Sequence, residues 1–256
     1  MTHITPTKQI AWTELFQSWS VFWPQFLRPY YDSIFYTPLF ISKSVLTKSK
    51  YLTHFPHQLF SVSDKLATST EFVTPAACLH IYPTLQGKNI TEVSAMCIAH
   101  CARKEGGKYI LPYRLPDFHM TELVTIGNKE IVVEKREKVK NKIQRLFTNF
   151  DYNGAFERAT DAFFLGDDEG AKMIQKLKGL KEEFIVQNGS SKVALLSINY
   201  HEDFFGKCFR IKTDDSFSNS FCIAFGLERL TSYSLKIWGE NKKNWPHAFK
   251  KYGKVS

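Results

Sequence analysis

The pattern of apolar and polar positions changes character along the chain. Val93 to His100, Lys192 to Tyr200, Lys207 to Lys212 and Ser220 to Phe225 have the β-branched, apolar character of strands. The short run His80 to Tyr82, after Pro75, reads the same way. Glu122 to Gly127 leads into Lys129 to Phe147, where Val132, Val139, Ile143 and Leu146 recur at helical spacing. Gly170 to Leu180 predicts another helix. Gly226 to Trp238 predicts a third, with Leu227, Leu230, Tyr233 or Ser234, and Ile237 along one face. Strands and helices follow one another without regular βαβ alternation, which predicts an α+β fold with a largely antiparallel sheet. Residues 1–56 are aromatic-rich and punctuated by Pro6, Pro24, Pro29 and Pro38. They predict short helices and loops, an extension packed on a main body that starts at residue 57 and runs to 256. No linker, repeat or low-complexity tract interrupts the chain, so one cooperative unit is expected.

Composition narrows the function classes only a little. Hydrophobic residues make up 43% of the 256, with 22 Phe, 11 Tyr and 5 Trp, enough for a sizeable core and against wholesale disorder. Lys plus Arg number 34 against 25 acids, a net charge of +9 that favours an acidic partner: a nucleotide, a nucleic acid or an acidic protein. The seven basic residues of the 129–147 stretch face three glutamates there and read as the solvated side of an amphipathic helix. Five cysteines, odd in number and widely spread, exclude a small secreted disulfide framework. Lys8 and Glu14 interrupt any signal-peptide core, and Leu15 to Leu27 is too short and polar to span a bilayer. A cytoplasmic protein with free thiols and no membrane partner is the expectation.

Common nucleotide and hydrolase motifs (GxxxxGK[ST], GxGxxG, HExxH, GxSxG) do not occur. Gly106-Gly107 after Arg103-Lys104-Glu105 is, alone, only a turn. Cys97-Ile98-Ala99-His100-Cys101 suggests metal at first sight. On a strand, however, Cys97 and Cys101 share a face about 13 Å apart, at ~3.3 Å per residue. With Ala95, Met96, Ile98 and Ala99 around them they read as buried structural cysteines.

Six segments together carry a resemblance. They are Thr74-Pro75-Ala76-Ala77-Cys78-Leu79-His80-Ile81-Tyr82-Pro83, then Cys101-Ala102-Arg103-Lys104-Glu105-Gly106-Gly107, and Arg114-Leu115-Pro116-Asp117-Phe118-His119-Met120-Thr121-Glu122-Leu123-Val124. Ala159-Thr160-Asp161-Ala162-Phe163-Phe164, Ser197-Ile198-Asn199-Tyr200-His201-Glu202-Asp203-Phe204-Phe205-Gly206 and Phe221-Cys222-Ile223-Ala224-Phe225-Gly226-Leu227-Glu228-Arg229 follow. In this order they resemble the class II aminoacyl-tRNA synthetase catalytic domain over residues 57–250. More narrowly they resemble the amino acid:[carrier protein] ligases, truncated relatives of the atypical, zinc-dependent seryl-tRNA synthetases.

That resemblance implies an antiparallel sheet flanked by helices in a homodimer, with Zn²⁺, Mg²⁺ and ATP as cofactors and co-substrate. Cys78, Glu122 and Cys222 match the zinc ligands, a set that leaves one position for the substrate amino group. Arg103 matches the arginine on the α-phosphate, Glu105 the acceptor for the adenine amino group, and Phe118 the ring beneath the adenine. Arg229 matches the arginine that covers the adenine and reaches the terminal phosphate. Lys181 and Glu183 match a Lys-x-Glu element, with Glu183 a Mg²⁺ or substrate contact. Ser197 and Asn199 would line the amino-acid pocket, and His201 is equally open to a structural or a functional role.

The implied activity is ATP-dependent activation of a small amino acid, then transfer to the phosphopantetheine thiol of an acidic carrier protein. No long charged heptad stretch of the kind that grips tRNA is present in these residues, so tRNA is not the expected acceptor. The alternatives are a synthetase-like binding or regulatory module with altered catalysis, and transfer to tRNA or a small-molecule amine. The sequence departs from the family pattern at Ala102, Lys104, Thr121, Ala162 and Phe221. Thr121 and Phe221, beside Glu122 and Cys222, are expected to bear on amino-acid selectivity. The aromatics of residues 1–56 are read as exposed, for dimer or carrier contacts.

Overall fold

The computed structural model describes residues 5–62, 71–104, 109–159 and 169–254. In chain order the elements are α1 (Pro6–Phe26), β1 (Ser33–Tyr36), β2 (Phe40–Ser42), α2 (Lys43–Lys48), α3 (Tyr51–His54), β3 (Ser61–Val62) and β4 (Glu71–Val73). A 3-10 turn (Ala77–His80) runs into α4 (Ile81–Thr84), followed by β5 (Glu92–Ala102), β6 (Asp117–Gly127), α5 (Lys129–Asn149), β7 (Gly154–Arg158) and α6 (Glu169–Lys178). Then come β8 (Lys181–Asn188), β9 (Ser191–Glu202), α7 (Phe204–Phe209), β10 (Lys212–Thr213), β11 (Ser216–Phe217), β12 (Asn219–Gly226), α8 (Leu227–Trp238) and α9 (His247–Tyr252). Seven strands form one sheet in the order β1-β5-β6-β12-β9-β8-β7. Only β1, parallel to β5, departs from antiparallel pairing. The α+β, largely antiparallel expectation is borne out. No helix among the described residues is long and apolar enough to cross a membrane.

Side chains of successive strand residues point to opposite faces, and the two faces of the central sheet differ sharply. On β12, Phe221, Ile223 and Phe225 take one face and Cys222 and Ala224 the other. Trp23 of α1 stacks on Phe225 with ring centroids 3.8 Å apart, and Phe147 of α5 meets Phe184 of β8 edge-on at 4.7 Å. Helices α1, α5 and α8 therefore cover the aromatic face. The opposite face carries the 3-10 turn, α4 and α7 near β5, β6, β9 and β12.

Three readings of local structure are corrected. The Pro-punctuated N-terminus begins with one 21-residue helix rather than short pieces, and the short helices α2 and α3 come only after it. Thr5 caps α1, Pro6 sits at its first position, and Pro24 falls in its last turn, where the break costs least. Its Leu15, Trp19, Phe22 and Trp23 are fully buried and offer no docking face, whereas Tyr36 and Phe40, also within residues 1–56, are exposed as expected. His80 to Tyr82 is 3-10 and α-helical, not a strand. Ala77, Cys78, Leu79, Ile81 and Tyr82 are all buried, with no alternation, and Pro83 lacks the N–H a ladder needs. Lys207 to Lys212 is mainly the end of α7, which stops at Arg210 in the left-handed region. Gly206 is required there, since a Cβ would lie 2.2 Å from the Ser218 carbonyl oxygen. The readings around 93–100, 129–147, 170–180, 192–200, 220–225 and 226–238 are borne out.

The Trp23–Phe225 contact ties the first helix to the central strand. We expect Trp23→Ala to lower the unfolding free energy by about 3–5 kcal/mol. Trp23→Phe should cost much less, because the buried indole N–H has no hydrogen bond to lose. Urea unfolding followed by far-UV circular dichroism measures both.

Candidate active site

The register of the central strands brings distant residues onto one face. Ala224 of β12 lies opposite Glu122 of β6 and Ser197 of β9, while Cys222 lies opposite Asn199. One strand further, Lys181 of β8 faces Asn199 and Glu183 faces Ser197. Antiparallel partners share a face, so Glu122, Cys222, Ser197, Asn199, Lys181 and Glu183 form one polar field on the side away from α1. Cys78 arrives from the 3-10 turn above it. Its backbone N–H donates to Glu122 Oε2 at 2.9 Å. The ligand atoms of Cys78, Glu122 and Cys222 all lie within 4.8 Å of one another, and all three residues are buried.

Three acidic groups packed this closely out of water resist ionising together. The hydrogen bond that the Cys78 thiol donates to Cys222, then burial and the neighbouring Glu122, push the Cys78 thiol well up. Burial raises Glu122, opposed by its hydrogen bonds from Cys78 and by the Arg103 charge. Such a cluster suits a cation that takes the place of the shared protons, and two sulfurs with one carboxylate are donors of the right kind for zinc.

Behind Cys222 lies a polar network that spacing did not reveal. Asn199 Nδ2 donates to Cys222 Sγ at 3.4 Å, and His201 Nε2 stands 3.7 Å from the same sulfur. His201 Nδ1 contacts Ser220 Oγ at 2.9 Å and the Tyr82 hydroxyl at 3.2 Å, and Tyr82 donates to Ser220. If Ser220 in turn donates to Nδ1, the Nε2 proton points at the sulfur. Both nitrogens then present an N–H to the Cys222 sulfur. Asn199 Oδ1 is buried without a hydrogen-bond partner, a spare acceptor next to the cluster. Neither Tyr82 nor Ser220 carried a sequence signal, and Tyr82 fell in a segment read as a strand.

Two arginines flank this field. Arg103 follows β5; its Nε donates to the Pro75 carbonyl at 2.7 Å and its guanidinium lies 5.3 Å from the Phe118 ring centroid. Arg229 sits in the first turn of α8, where Nε donates to Tyr113 O at 2.6 Å and Nη1 to Ala194 O at 3.1 Å. Glu228, next to it, accepts from the backbone N–H of His119 at 2.9 Å and bonds His119 Nδ1 at 2.8 Å, pinning the start of α8 to β6. Lys181 and Glu183 form an ion pair at 3.0 Å in a largely buried setting. Glu105, with Gly106 and Gly107, lies outside the described residues, as does the 160–164 part of the Ala159 to Phe164 element.

Strand parity revises the expectation for the two departures beside the ligands. Phe221 pairs with Thr125, and Thr121 with Phe225, all on the aromatic face. Neither side chain enters the polar field. Cys97 and Cys101 are buried and free, and burial pushes both thiols up, in keeping with a structural role.

No family model matches the chain. It is 26% identical over 238 residues to amino acid–[acyl-carrier-protein] ligase 1 of Bradyrhizobium diazoefficiens, covering 82% of this chain and 72% of that protein. Ligase 2 of the same organism gives 26% over 240 residues, 82% of this chain and 71% of that one. The M. kandleri SerRS, solved in complex with A. aeolicus tRNASec, superposes with a TM-score of 0.78 at 17% identity. The match covers 96% of this chain, which spans 56% of that synthetase chain. The fold is that of the class II aminoacyl-tRNA synthetases, and the resemblance to the amino acid ligases is borne out along most of the chain.

Buried imidazoles give the fold a pH signature. Burial lowers His201 to about 3 and His80 to about 4. The unfolded chain protonates both below about pH 6.5, while the folded chain holds them neutral. The unfolded state then binds more protons, so these two residues make stability fall as pH drops from about 6.5 toward 4. In chelator, to exclude metal loss, we expect His80→Gln to flatten that fall by up to about 1.4 kcal/mol per pH unit. Unfolding titrations from pH 7.5 to 4.5 would show it; identical slopes for both proteins would refute it.

Proposed function

We propose that the protein activates a small amino acid with ATP as an aminoacyl-adenylate and passes the aminoacyl group to the phosphopantetheine thiol of an acidic carrier protein. The observation that carries this reading is the buried Cys78–Glu122–Cys222 cluster, set within 4.8 Å on the polar face of a class II sheet. It is supported by relatives named amino acid–[acyl-carrier-protein] ligases.

Cys78, Glu122 and Cys222 would hold zinc, which when bound supplies an open position for the substrate's amino group. In the first step a carboxylate oxygen of the amino acid attacks the α-phosphorus of ATP. An O–P bond forms, the bond to the bridging oxygen breaks, and pyrophosphate leaves. In the second, the pantetheine sulfur attacks the acyl carbon; a C–S bond forms, the C–O bond to AMP breaks, and the thiol proton is released.

No enzyme nucleophile is required, so positioning and charge carry the rate. Arg103 serves the α-phosphate and Arg229 the terminal phosphate, each pre-set through its Nε bond to a backbone carbonyl. Phe118 lies beneath the adenine and Glu105 accepts from its amino group. Glu183, held by Lys181, contacts Mg²⁺ or substrate. Ser197 and Asn199 line the amino-acid pocket, where the unpartnered Asn199 Oδ1 accepts a hydrogen bond from the substrate. A homodimer in the cytoplasm goes with this reading.

Amino-acid-dependent ATP–pyrophosphate exchange across the twenty amino acids, on protein with assayed zinc, tests the first step. Exchange with one or two small amino acids is expected. A folded, zinc-loaded sample without exchange would favour the binding or regulatory module, and charging of tRNA without carrier loading would reassign the acceptor. Arg103→Ala and Arg229→Ala should each lower kcat about 10²–10³-fold with zinc retained. Glu122→Gln and Cys222→Ser should lose the zinc as well.

A further inference from the structure

Outside the site described above, a basic cleft opens between α2, α3 and α7. It encloses about 780 Å³ and is lined by Lys43, Lys48, Lys50, Lys207 and Cys208. Lys48 is held by Gln86 at 2.6 Å and Lys207 by Asp203 at 2.8 Å. Lys43 and Lys50 have no acidic partner among the described residues, and both are exposed. Another dense run of positive charge, on α5, is largely spent internally. There Lys135 pairs with Glu92, Arg136 and Lys140 with Glu182, Lys138 with Glu134, and Lys142 with the Phe26 carbonyl.

The cleft's position matters as much as its charge. The α2–α3 segment that forms its floor also supplies Ser49, Tyr51 and His54 to a small cavity on its inner side, closed by Phe205 and Cys78. Phe205 of α7 stacks on Tyr82, which contacts His201. The same α2–α3 segment thus borders the four lysines of the cleft and the small cavity that Cys78 also lines.

We propose that this cleft is where the acidic carrier protein docks. Its surface carboxylates, and the phosphodiester at the root of the pantetheine arm, meet the lysines. The inference rests on the carrier-protein reading given above and adds to it the surface that recognises the partner. Attraction of this kind raises the encounter rate and weakens steeply with salt.

The test titrates a labelled, phosphopantetheinylated acyl carrier protein with the full chain at low and physiological salt, alongside pyrophosphate exchange and carrier loading. Lys43→Glu/Lys50→Glu should weaken carrier binding and raise its KM by about tenfold or more, and flatten the salt dependence, with exchange unchanged. Lys43→Gln/Lys50→Gln should give a smaller loss in the same direction. Lys8→Glu/Lys129→Glu, the same charge change at exposed positions elsewhere, should leave binding near the native value. Native affinity and loading in Lys43→Glu/Lys50→Glu would overturn the docking site and leave the carrier reading intact. Loss of exchange in that variant, in folded protein, would also overturn it by placing these lysines in service of the catalytic fold. A native chain that exchanges pyrophosphate yet neither binds nor loads the carrier would overturn the docking site and the carrier half of the function together.

Discussion

The two-residue period of β6, β12 and β9 is the constraint on which the molecule depends. Every second side chain belongs to the aromatic face under α1, α5 and α8, and the ones between belong to the polar field. A slip of one residue would bury Glu122 among the rings and turn Phe221 into the pocket. The stack of Trp23 on Phe225 therefore does more than exclude water. By fixing which face Phe225 takes, it fixes where Cys222 and Ala224 point, and with them the partners on β6 and β9.

Against that rigid frame the polar face concentrates groups that would be costly alone. Two thiols and a carboxyl sit together out of water, and burial among these neighbours pushes the Cys78 thiol and the Glu122 carboxyl up. Around them, donors converge: the Cys78 backbone N–H on Glu122, and Asn199 and His201 on Cys222. These supporting bonds come from a turn, a strand and a buried ring, so the cluster's geometry is set by the whole body rather than by one loop. The arginines obey the same logic, each fixed through Nε to a carbonyl from another segment.

How much of this was legible in the sequence follows from how local each cause is. The strands at 93–100, 192–200 and 220–225 and the helix of Val132, Val139 and Ile143 announce themselves, because their periods are properties of neighbouring residues. The helix under Pro24 does not, since rings contributed from far along the chain decide it. Nor does the strand that begins at Lys181, which starts only because Gly179 turns left-handed and ends α6. The cluster of Cys78, Glu122 and Cys222 was visible through resemblance to a family; no spacing rule unites residues on a turn and two strands. His201 stayed undecided for the same reason, its meaning set by Tyr82, 119 residues earlier. Conversely, strand parity removed Phe221 and Thr121 from the pocket, which adjacency in sequence had suggested.

The docking of the first helix against the last ones carries a temporal consequence. Trp19 bonds Ser234, 215 residues later, and packs on Trp238 and Phe249. A ribosome emits α1 long before its binding surface on α8 and α9, so the nascent chain presents a stripe of unburied tryptophan and phenylalanine while the residues between them are made. Closure of the body waits for α8 and α9 to emerge. During that interval the sheet lacks its cover, and chaperones capable of holding an aromatic helix have their longest opportunity to act.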